Sequence, residues 1–307
     1  MAKIKIVTDG TADIPAELAR ELGIEVVPLL VQTDDKIYRA GIDLTDEQLY
    51  DMLISGHPRF KVSSPSSLVF EQLYRRLVGD VDHVFSIHLS THLGDIYANT
   101  VQARSKVPAS TTRIELVDSK SASVGLGSVV LAAARASREG ATPDEVSRLI
   151  NAMVRHTHVC FFVDTMEHLE LAGRLTITGT VLGSMQRIKP LMILDEGEIV
   201  PYERTRTRAK AIEGLFTFIE DFPRVQEVIV LFATTPEDVE KLLEKVEPIF
   251  PREKVQIARF GPGVAAHLGS GAMGVTVFEG FEEYPMQNAK CKMQNGLRPF
   301  CILHFAF

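Results

Sequence analysis

The chain of 307 residues has no tryptophan, only three cysteines and no apolar run near the length of a membrane span. Cys160, Cys291 and Cys301 form no CxxC pair, so the sequence predicts no disulfide framework. A spanning helix needs about 20 apolar residues, so we expect none. Residues 1–7 lack the run of about 7–15 apolar residues that a secretory signal requires, and we therefore expect a cytoplasmic protein.

Basic residues are outnumbered by acidic ones, 33 to 40, and the net charge of −7 argues against nucleic acid as the main partner. The hydrophobic fraction of 45% is typical of a folded globular protein. At about 150 residues per domain, the length indicates two domains. We expect a first α/β domain at residues 1–156, a second at 157–280 and an unassigned tail at 281–307.

Short apolar strands alternate with helical segments in the first half of the chain. Strands are predicted at residues 4–7, 25–31, 83–89 and 113–117. Residues 14–22 have helical spacing, with Asp13 as the expected N-cap and Pro15 in the first turn. This order predicts a parallel sheet with helices on both faces. After residue 156, a hairpin turn at residues 195–198 and further strands and helices predict a mixed sheet with helices.

Polar clusters follow three of the predicted parallel strands, at residues 8–11, 90–92 and 118–121. In such sheets, ligands bind outside the carboxyl ends of the strands. We therefore expect the three clusters to converge on one edge of the first sheet.

Residues 269–274 match the pattern G-x-G-x-x-G of dinucleotide-binding proteins. That fingerprint needs a strand before it and a helix after it, whereas residues 275–278 read as a strand. The glycines more simply allow a close approach of the backbone to a ligand or to another segment. Nucleotide binding is kept as an alternative.

An acyl-transfer enzyme and a metal site are two further alternatives. An acyl hydrolase or transferase could use Ser63 or Ser90 with His267, although the chain contains no G-x-S-x-G elbow. For a metal enzyme, the candidate ligands are pairs and clusters of histidines with one aspartate: His88, His92, His156, His158, Asp164 and His168. Their spacing fits no metal motif, so scattered structural histidines are the simpler interpretation.

A cationic run at residues 204–210 contains four positive charges in seven residues. It is either a solvated helix start or a docking site for an acidic partner or a phosphate, for which arginine offers bidentate geometry.

Hydroxyl side chains cluster at Ser63, Ser64, Ser66 and Ser67, and Ser90 and Thr91 end a strand. Neutral hydroxyl donors together with a histidine can hold a carboxylate without a fixed positive charge. The alternative is that they only cap loops.

Seven short segments are similar, in order and spacing, to the motifs of one known family. They are KIVTDGTADI at 5–14, VSSPS at 62–66, LSTHLGDIY at 89–97, VDSK at 117–120, LAGRL at 171–175, RT at 206–207 and GPGVAAHLGSGAMG at 261–274. The matching motifs belong to the DegV family of bacterial fatty-acid-binding proteins. Each motif alone is weak, but seven in register over about residues 3–280 are a specific signal.

The resemblance implies two α/β domains with a long-chain fatty acid buried along their interface. Its carboxylate would be held by Ser63, Ser90, Thr91 and His267. The protein would be a carrier without catalytic residues, metal or cofactor, and would present the acyl group to a separate fatty acid kinase. No membrane span is implied, and transient contact with a membrane stays open.

Arg174 and Arg206 fall on family arginines that would face the kinase. Residues 159–163 and 191–194 are candidate walls of the lipid tunnel, or simply core. Val62 and Gly94 stand where the family has a threonine and a serine, so two hydroxyls are missing from the expected site.

Overall fold

The first half of the chain forms the predicted parallel sheet. The computed structural model describes residues 2–56, 59–108, 111–172 and 188–280. The strand order is β2-β1-β6-β7, all parallel. The strands are β1 Ile4–Asp9, β2 Glu25–Val27, β6 His83–His88 and β7 Arg113–Asp118. The helices of this half are α1 Ala16–Leu22, α2 Asp46–Ser55, α3 Ser67–Leu77, α4 Ile96–Ser105, α5 Ser123–Arg138 and α6 Pro143–His156.

Helices cover both faces of this sheet because its strands are apolar on both sides. Ile6 and Phe85 pack against α5 and α6, whereas the neighbouring Val7 and Val84 pack against α3 and α4. Strands that bury both faces are typical of parallel sheets. The predicted arrangement is therefore confirmed.

A small antiparallel sheet, which the sequence did not predict, lies beside the first one. Its strands are β3 Leu30–Gln32, β4 Ile37–Arg39 and β5 Lys61–Ser63, in the order β4-β3-β5. The single strand predicted at residues 25–31 is wrong because the chain breaks at Pro28 and its second half joins this sheet. Strands of three residues lie below the length at which periodicity can be recognised.

The second half of the chain forms a six-stranded mixed sheet in the order β10-β9-β8-β13-β11-β12. Its strands are β8 Thr157–Phe162, β9 Lys189–Asp195, β10 Glu198–Thr205, β11 Val225–Phe232, β12 Val255–Arg259 and β13 Met273–Glu279. Its helices include α7 Glu167–Ala172, α8 Arg208–Glu220, α9 Pro236–Val246 and α10 Pro262–Leu268. Only β11 and β12 pair in parallel within this part of the structure. The predicted mixed sheet is thus confirmed, whereas the domain limits at residues 156 and 280 stay a prediction.

The two faces of this second sheet bury different partners. Phe161 and Leu231 point into an apolar cluster that also contains Tyr50 of α2 and Val124 of α5. We call this cluster the interdomain cluster. Phe162, on the other face, packs instead against α8 and α9. In the described part of the chain, the apolar contacts with the first domain therefore come from one face of the second sheet.

Asp13 does not cap α1, contrary to the sequence prediction. It has a left-handed φ of 50°, and Pro15 occupies the N-cap position. Its carboxylate instead accepts hydrogen bonds from the Ser123 hydroxyl at 2.5 Å and from the Gly261 N–H at 2.9 Å. The bond from Gly261 connects the first domain to the start of α10 in the second, whereas the bond from Ser123 stays within the first domain. Burial, with the charges of nearby carboxylates, raises the pKa of Asp13 to about 7.

We expect Asp13 to make stability depend on pH. Because its pKa is raised on folding, its contribution is fully present below pH 4 and is lost as the pH rises through 7. In Asp13→Asn the amide oxygen can still accept both bonds but cannot ionise. Urea unfolding at pH 5 to 8 should show wild type losing about 2.5 kcal/mol relative to this variant, because about two pH units of that range lie below the folded-state pKa.

Asp43→Asn is the matched control. Arg39 holds the pKa of Asp43 at about 2, so its carboxylate is ionised in both states throughout that pH range. Its effect on unfolding should be constant with pH. A free-energy difference between wild type and Asp13→Asn that does not change with pH would contradict the prediction.

Candidate functional site

Three loops meet at the carboxyl edge of the first sheet, as predicted. The Ser90 N–H donates to the carbonyl of Ser121 at 3.0 Å, and the Thr91 hydroxyl donates to the Asp118 carboxylate at 2.8 Å. The Leu89 N–H donates to the carboxylate of Asp9 at 3.2 Å, which adds the loop after β1. The edge therefore gathers hydroxyls and carboxylates from three strands.

Asp9 is the central acceptor at this edge and is fully buried. One carboxylate oxygen accepts from the Thr11 N–H at 3.0 Å and the Thr11 hydroxyl at 2.5 Å. The other accepts from Leu89, and it lies 2.8 Å from His88 Nδ1. Burial by itself would raise the pKa of Asp9, but His88 and Thr11 hold it below its usual value. The ionised form is thus the one that the fold stabilises.

The His88 ring continues the network into the core. Its Nε2 lies 2.6 Å from Ser86 Oγ, and that oxygen lies 2.8 Å from the Tyr74 hydroxyl. Ser86, His88 and Asp9 have the order of a hydrolase triad, but all three are fully buried. A nucleophile must reach its substrate, so this arrangement is a structural network.

The β5–α3 loop brings its serines to the same edge. Ser63 is the last residue of β5 and is half-buried. A Cβ at Gly94 would lie 4.0 Å from the Ser64 hydroxyl. A serine at position 94, as in the family pattern, would therefore stand beside that hydroxyl. Val62 is 8% exposed and packs into an apolar cluster with Leu89.

α10 positions His267 beside the same apolar cluster. Ala266, its chain neighbour, packs against the cluster that contains Val62 and Leu89. A Cβ at Gly263 would lie 2.5 Å from a methyl of Leu29. This glycine therefore allows α10 to approach the first domain closely. His267 itself is half-buried.

Ser90 and Thr91 differ in exposure. Ser90 is fully buried and donates its hydroxyl proton to the carbonyl of Gly197, 2.8 Å away. Thr91 is exposed and its hydroxyl is bound to Asp118. The structure thus places Val62, Leu89 and Ala266, the chain neighbours of Ser63, Ser90 and His267, in one apolar cluster. It gives Ser90 and Thr91 acceptors within the protein.

Within the described ranges, no group of three or more His, Cys, Asp or Glu side chains is placed to hold a metal ion. His88 contacts Asp9, whereas His92 Nδ1 lies 3.1 Å from the Glu198 carboxylate. In the same ranges, no helix is both long and apolar enough to cross a bilayer.

Comparisons with known proteins agree on one family. A sequence model described as "Uncharacterised protein, DegV family" matches residues 3–280. The chain belongs to the DegV family.

Relatives in this family match the chain over almost their whole length. A DegV domain-containing protein of Halalkalibacterium halodurans is 32% identical, over 90% of this chain and 98% of the relative. A structure described as fatty acid binding of a DegV family protein from Thermus thermophilus has a TM-score of 0.79 at 29% identity, over 90% of this chain and 99% of that one. A fatty acid binding DegV family protein of Streptococcus agalactiae has a TM-score of 0.83 at 25% identity, over 92% and 100%.

Two DegV motifs contain the arginines that were predicted to face a partner. Arg174 lies outside the described residues, and Arg206 lies within them. Arg206 is exposed, between β10 and α8. Arg208, in the same cationic run, points inward and donates to the Thr235 hydroxyl at 2.5 Å and to the Gly271 carbonyl at 2.8 Å. The run is therefore not one continuous charged surface.

The glycine-rich DegV segment at residues 269–274 follows a helix and leads into a strand, the reverse of a dinucleotide fingerprint. A Cβ at Gly269 would lie 2.8 Å from the His168 ring, and one at Gly271 would lie 1.8 Å from the Asp164 carboxylate. These glycines permit close packing against other segments, as the sequence analysis favoured.

Asp9 is a residue of this edge that is not among the site residues predicted from the sequence. A carboxylate directly after a buried strand, at the edge where ligands bind in α/β sheets, was the available signal. The same reasoning could not reveal Gly197, because its contact with Ser90 joins residues 107 positions apart.

We expect Asp9→Asn to be strongly destabilising. The amide places an NH₂ group where the buried oxygens accept hydrogen bonds from Thr11, His88 and Leu89. Loss of one partner of a buried charged network costs about 3–5 kcal/mol, measurable by urea unfolding. Asp118→Asn, at the same edge but partly exposed, should cost about 1 kcal/mol or less. Equal losses in the two variants would contradict a central role for Asp9.

Proposed function

We propose that this protein binds a long-chain fatty acid between its two domains and presents the carboxylate to an acyl kinase. The observation that carries the proposal is the position of the polar edge. The hydroxyls of the first sheet border the interdomain cluster, because Leu93 packs against both that cluster and the one beside α3. A polar site beside an apolar interior matches an amphipathic ligand.

The interdomain cluster supports binding of the acyl chain. Of the two predicted tunnel walls, the residues that face it are Val159, Phe161, Val163, Met192 and Leu194. Cys160, Phe162 and Leu191 face α8 and α9 and are core. A buried chain gains about 0.8 kcal/mol per CH₂, so a long chain supplies affinity before its head group contributes.

The carboxylate is proposed to bind Ser63, Ser90, Thr91 and His267. Hydroxyl donors avoid the larger desolvation cost of a buried lysine or arginine. Structures described as fatty acid binding in Thermus thermophilus and Streptococcus agalactiae support a lipid ligand for the fold.

The carrier role completes the proposal. No residue of this chain is assigned a catalytic step, and the partner kinase would form the acyl phosphate from ATP in the cytoplasm. Arg206 is exposed and available to a partner. Arg174 is assigned to contact with the kinase from the family motif alone.

The test of the function is extraction of the natively purified protein. Mass spectrometry should find a co-purifying long-chain fatty acid, and the stripped protein should bind added oleate. A protein that is purified without lipid and that also does not bind added oleate would overturn the proposal. Turnover of ester substrates that is lost in Ser63→Ala or Ser90→Ala would instead favour the hydrolase.

His267→Ala should weaken oleate binding without unfolding the protein, because it removes one polar contact to the carboxylate and leaves the apolar contacts. We expect a loss of about 1.5–3 kcal/mol, the range for a hydrogen bond to a charged group, measured by isothermal titration. His156→Ala, at the end of α6, is the matched control. Equal affinities of wild type and His267→Ala would remove this residue from the site.

Arg206→Ala should leave oleate binding intact and slow the formation of acyl phosphate when a fatty acid kinase is supplied. A long arginine on the surface acts on docking through charge, so the defect should diminish as salt increases. Arg224→Ala changes an exposed arginine at the opposite end of the sheet and should have no effect. Equal rates for both variants would exclude Arg206 from the docking surface.

A further inference from the structure

The turn between β9 and β10 lies directly on Ser90. We call residues 195–198 the hairpin tip. Its Gly197 carbonyl accepts the hydroxyl proton of Ser90 at 2.8 Å, and Ser90 has no exposed surface. The second domain therefore covers a serine that the proposed function assigns to the carboxylate.

Both the turn and the approach to Ser90 require a glycine at position 197 of the hairpin tip. Glu196 and Gly197 have φ values of 49° and 90°, as a tight hairpin turn requires. A Cβ at Gly197 would lie 2.3 Å from Ser90 Oγ and 3.1 Å from Lys120 Cα. No side chain at position 197 can be accommodated while the tip stays in place.

The other contacts of the tip are at its margin. Lys120 pairs with Glu196, and His92 Nδ1 lies 3.1 Å from the Glu198 carboxylate. All four side chains are substantially exposed, and exposed ion pairs contribute little to stability. The buried bond from Ser90 is thus the contact of the tip that is shielded from water.

We propose that the hairpin tip is a latch that competes with the fatty acid for Ser90. A serine hydroxyl has one proton, so it cannot donate to the Gly197 carbonyl and to a carboxylate at the same time. A charged acceptor forms the stronger hydrogen bond. A bound carboxylate therefore accepts the hydrogen bond of the Ser90 hydroxyl, and the Gly197 carbonyl loses its donor. This inference rests on the proposed function, because it assumes that the carboxylate binds at Ser90.

Linkage makes the competition reciprocal: the ligand loosens the tip, and loosening the tip favours the ligand. Bound oleate should therefore speed hydrogen exchange at the amides of residues 196–198, although ligands usually slow exchange near their sites. A tip that only supports the site would show slower exchange instead.

The experiment combines oleate titration with hydrogen exchange on wild type, Gly197→Ala and Gly79→Ala. Gly197→Ala forces the tip off Ser90 and should tighten oleate binding by about two- to tenfold, the equivalent of one hydrogen bond. Gly79→Ala is the matched control, since Gly79 has a φ of 89° but nothing within 4 Å of an added Cβ. It should leave the affinity unchanged.

One measurement and one further variant protect the test. If Gly197→Ala fails to fold, the hydrogen exchange of wild type with and without oleate still decides the question, because it needs no variant. In a Ser90→Ala background, Gly197→Ala should no longer tighten binding, because the contested proton is gone.

The outcomes separate the two proposals. If wild type binds no oleate, the proposed function fails. If wild type binds oleate but Gly197→Ala binds it equally or more weakly, the latch is overturned and the function stands. Slower exchange of the tip with oleate would overturn the latch in the same way.

Discussion

The candidate site depends on one buried negative charge. The Asp9 carboxylate ends the central strand β1 and fixes the loops that follow β1 and β6 by accepting bonds from Thr11 and Leu89. His88 lies against the same carboxylate and extends the network to Ser86 and Tyr74. Because this charge is fully buried, each donor around it is required, and the loops they belong to have little freedom. The shape of the polar edge follows from that constraint.

The second domain completes the site through a few specific contacts. Asp13 accepts from Gly261 at the start of α10, and the Tyr50 hydroxyl donates to the carbonyl of Phe260. These bonds fix α10, which includes His267, against the first domain. At the other contact, Gly197 reaches Ser90. The interface thus has polar bonds at its margins and apolar packing between them.

Periodicity was sufficient to predict much of this fold. The parallel sheet and the mixed sheet depend on local patterns, and the structure confirms them. The errors occurred where tertiary contacts prevailed over local preference. Asp13 is a good N-cap residue by type, but it meets Ser123 and Gly261, far away in sequence. The three-residue strands of the small sheet are too short to show a period.

The site was only partly predictable for the same reason. The convergence of Ser90, Thr91 and Asp118 follows from strand order alone, and the family motif added Ser63 and His267. The orientation of hydroxyl protons does not follow from sequence, because it depends on which acceptors the fold places nearby. Ser90 shows this, since its acceptor belongs to the other domain.

The central claim is that a fatty acid carboxylate binds at this polar edge. Nuclear magnetic resonance of oleate labelled with ¹³C at the carboxyl carbon, bound to the full chain, tests it most directly. The account predicts one bound resonance that shifts in Ser63→Ala and His267→Ala and stays in place in His156→Ala. A bound resonance whose chemical shift is the same in wild type, Ser63→Ala and His267→Ala would place the carboxylate elsewhere and contradict the account.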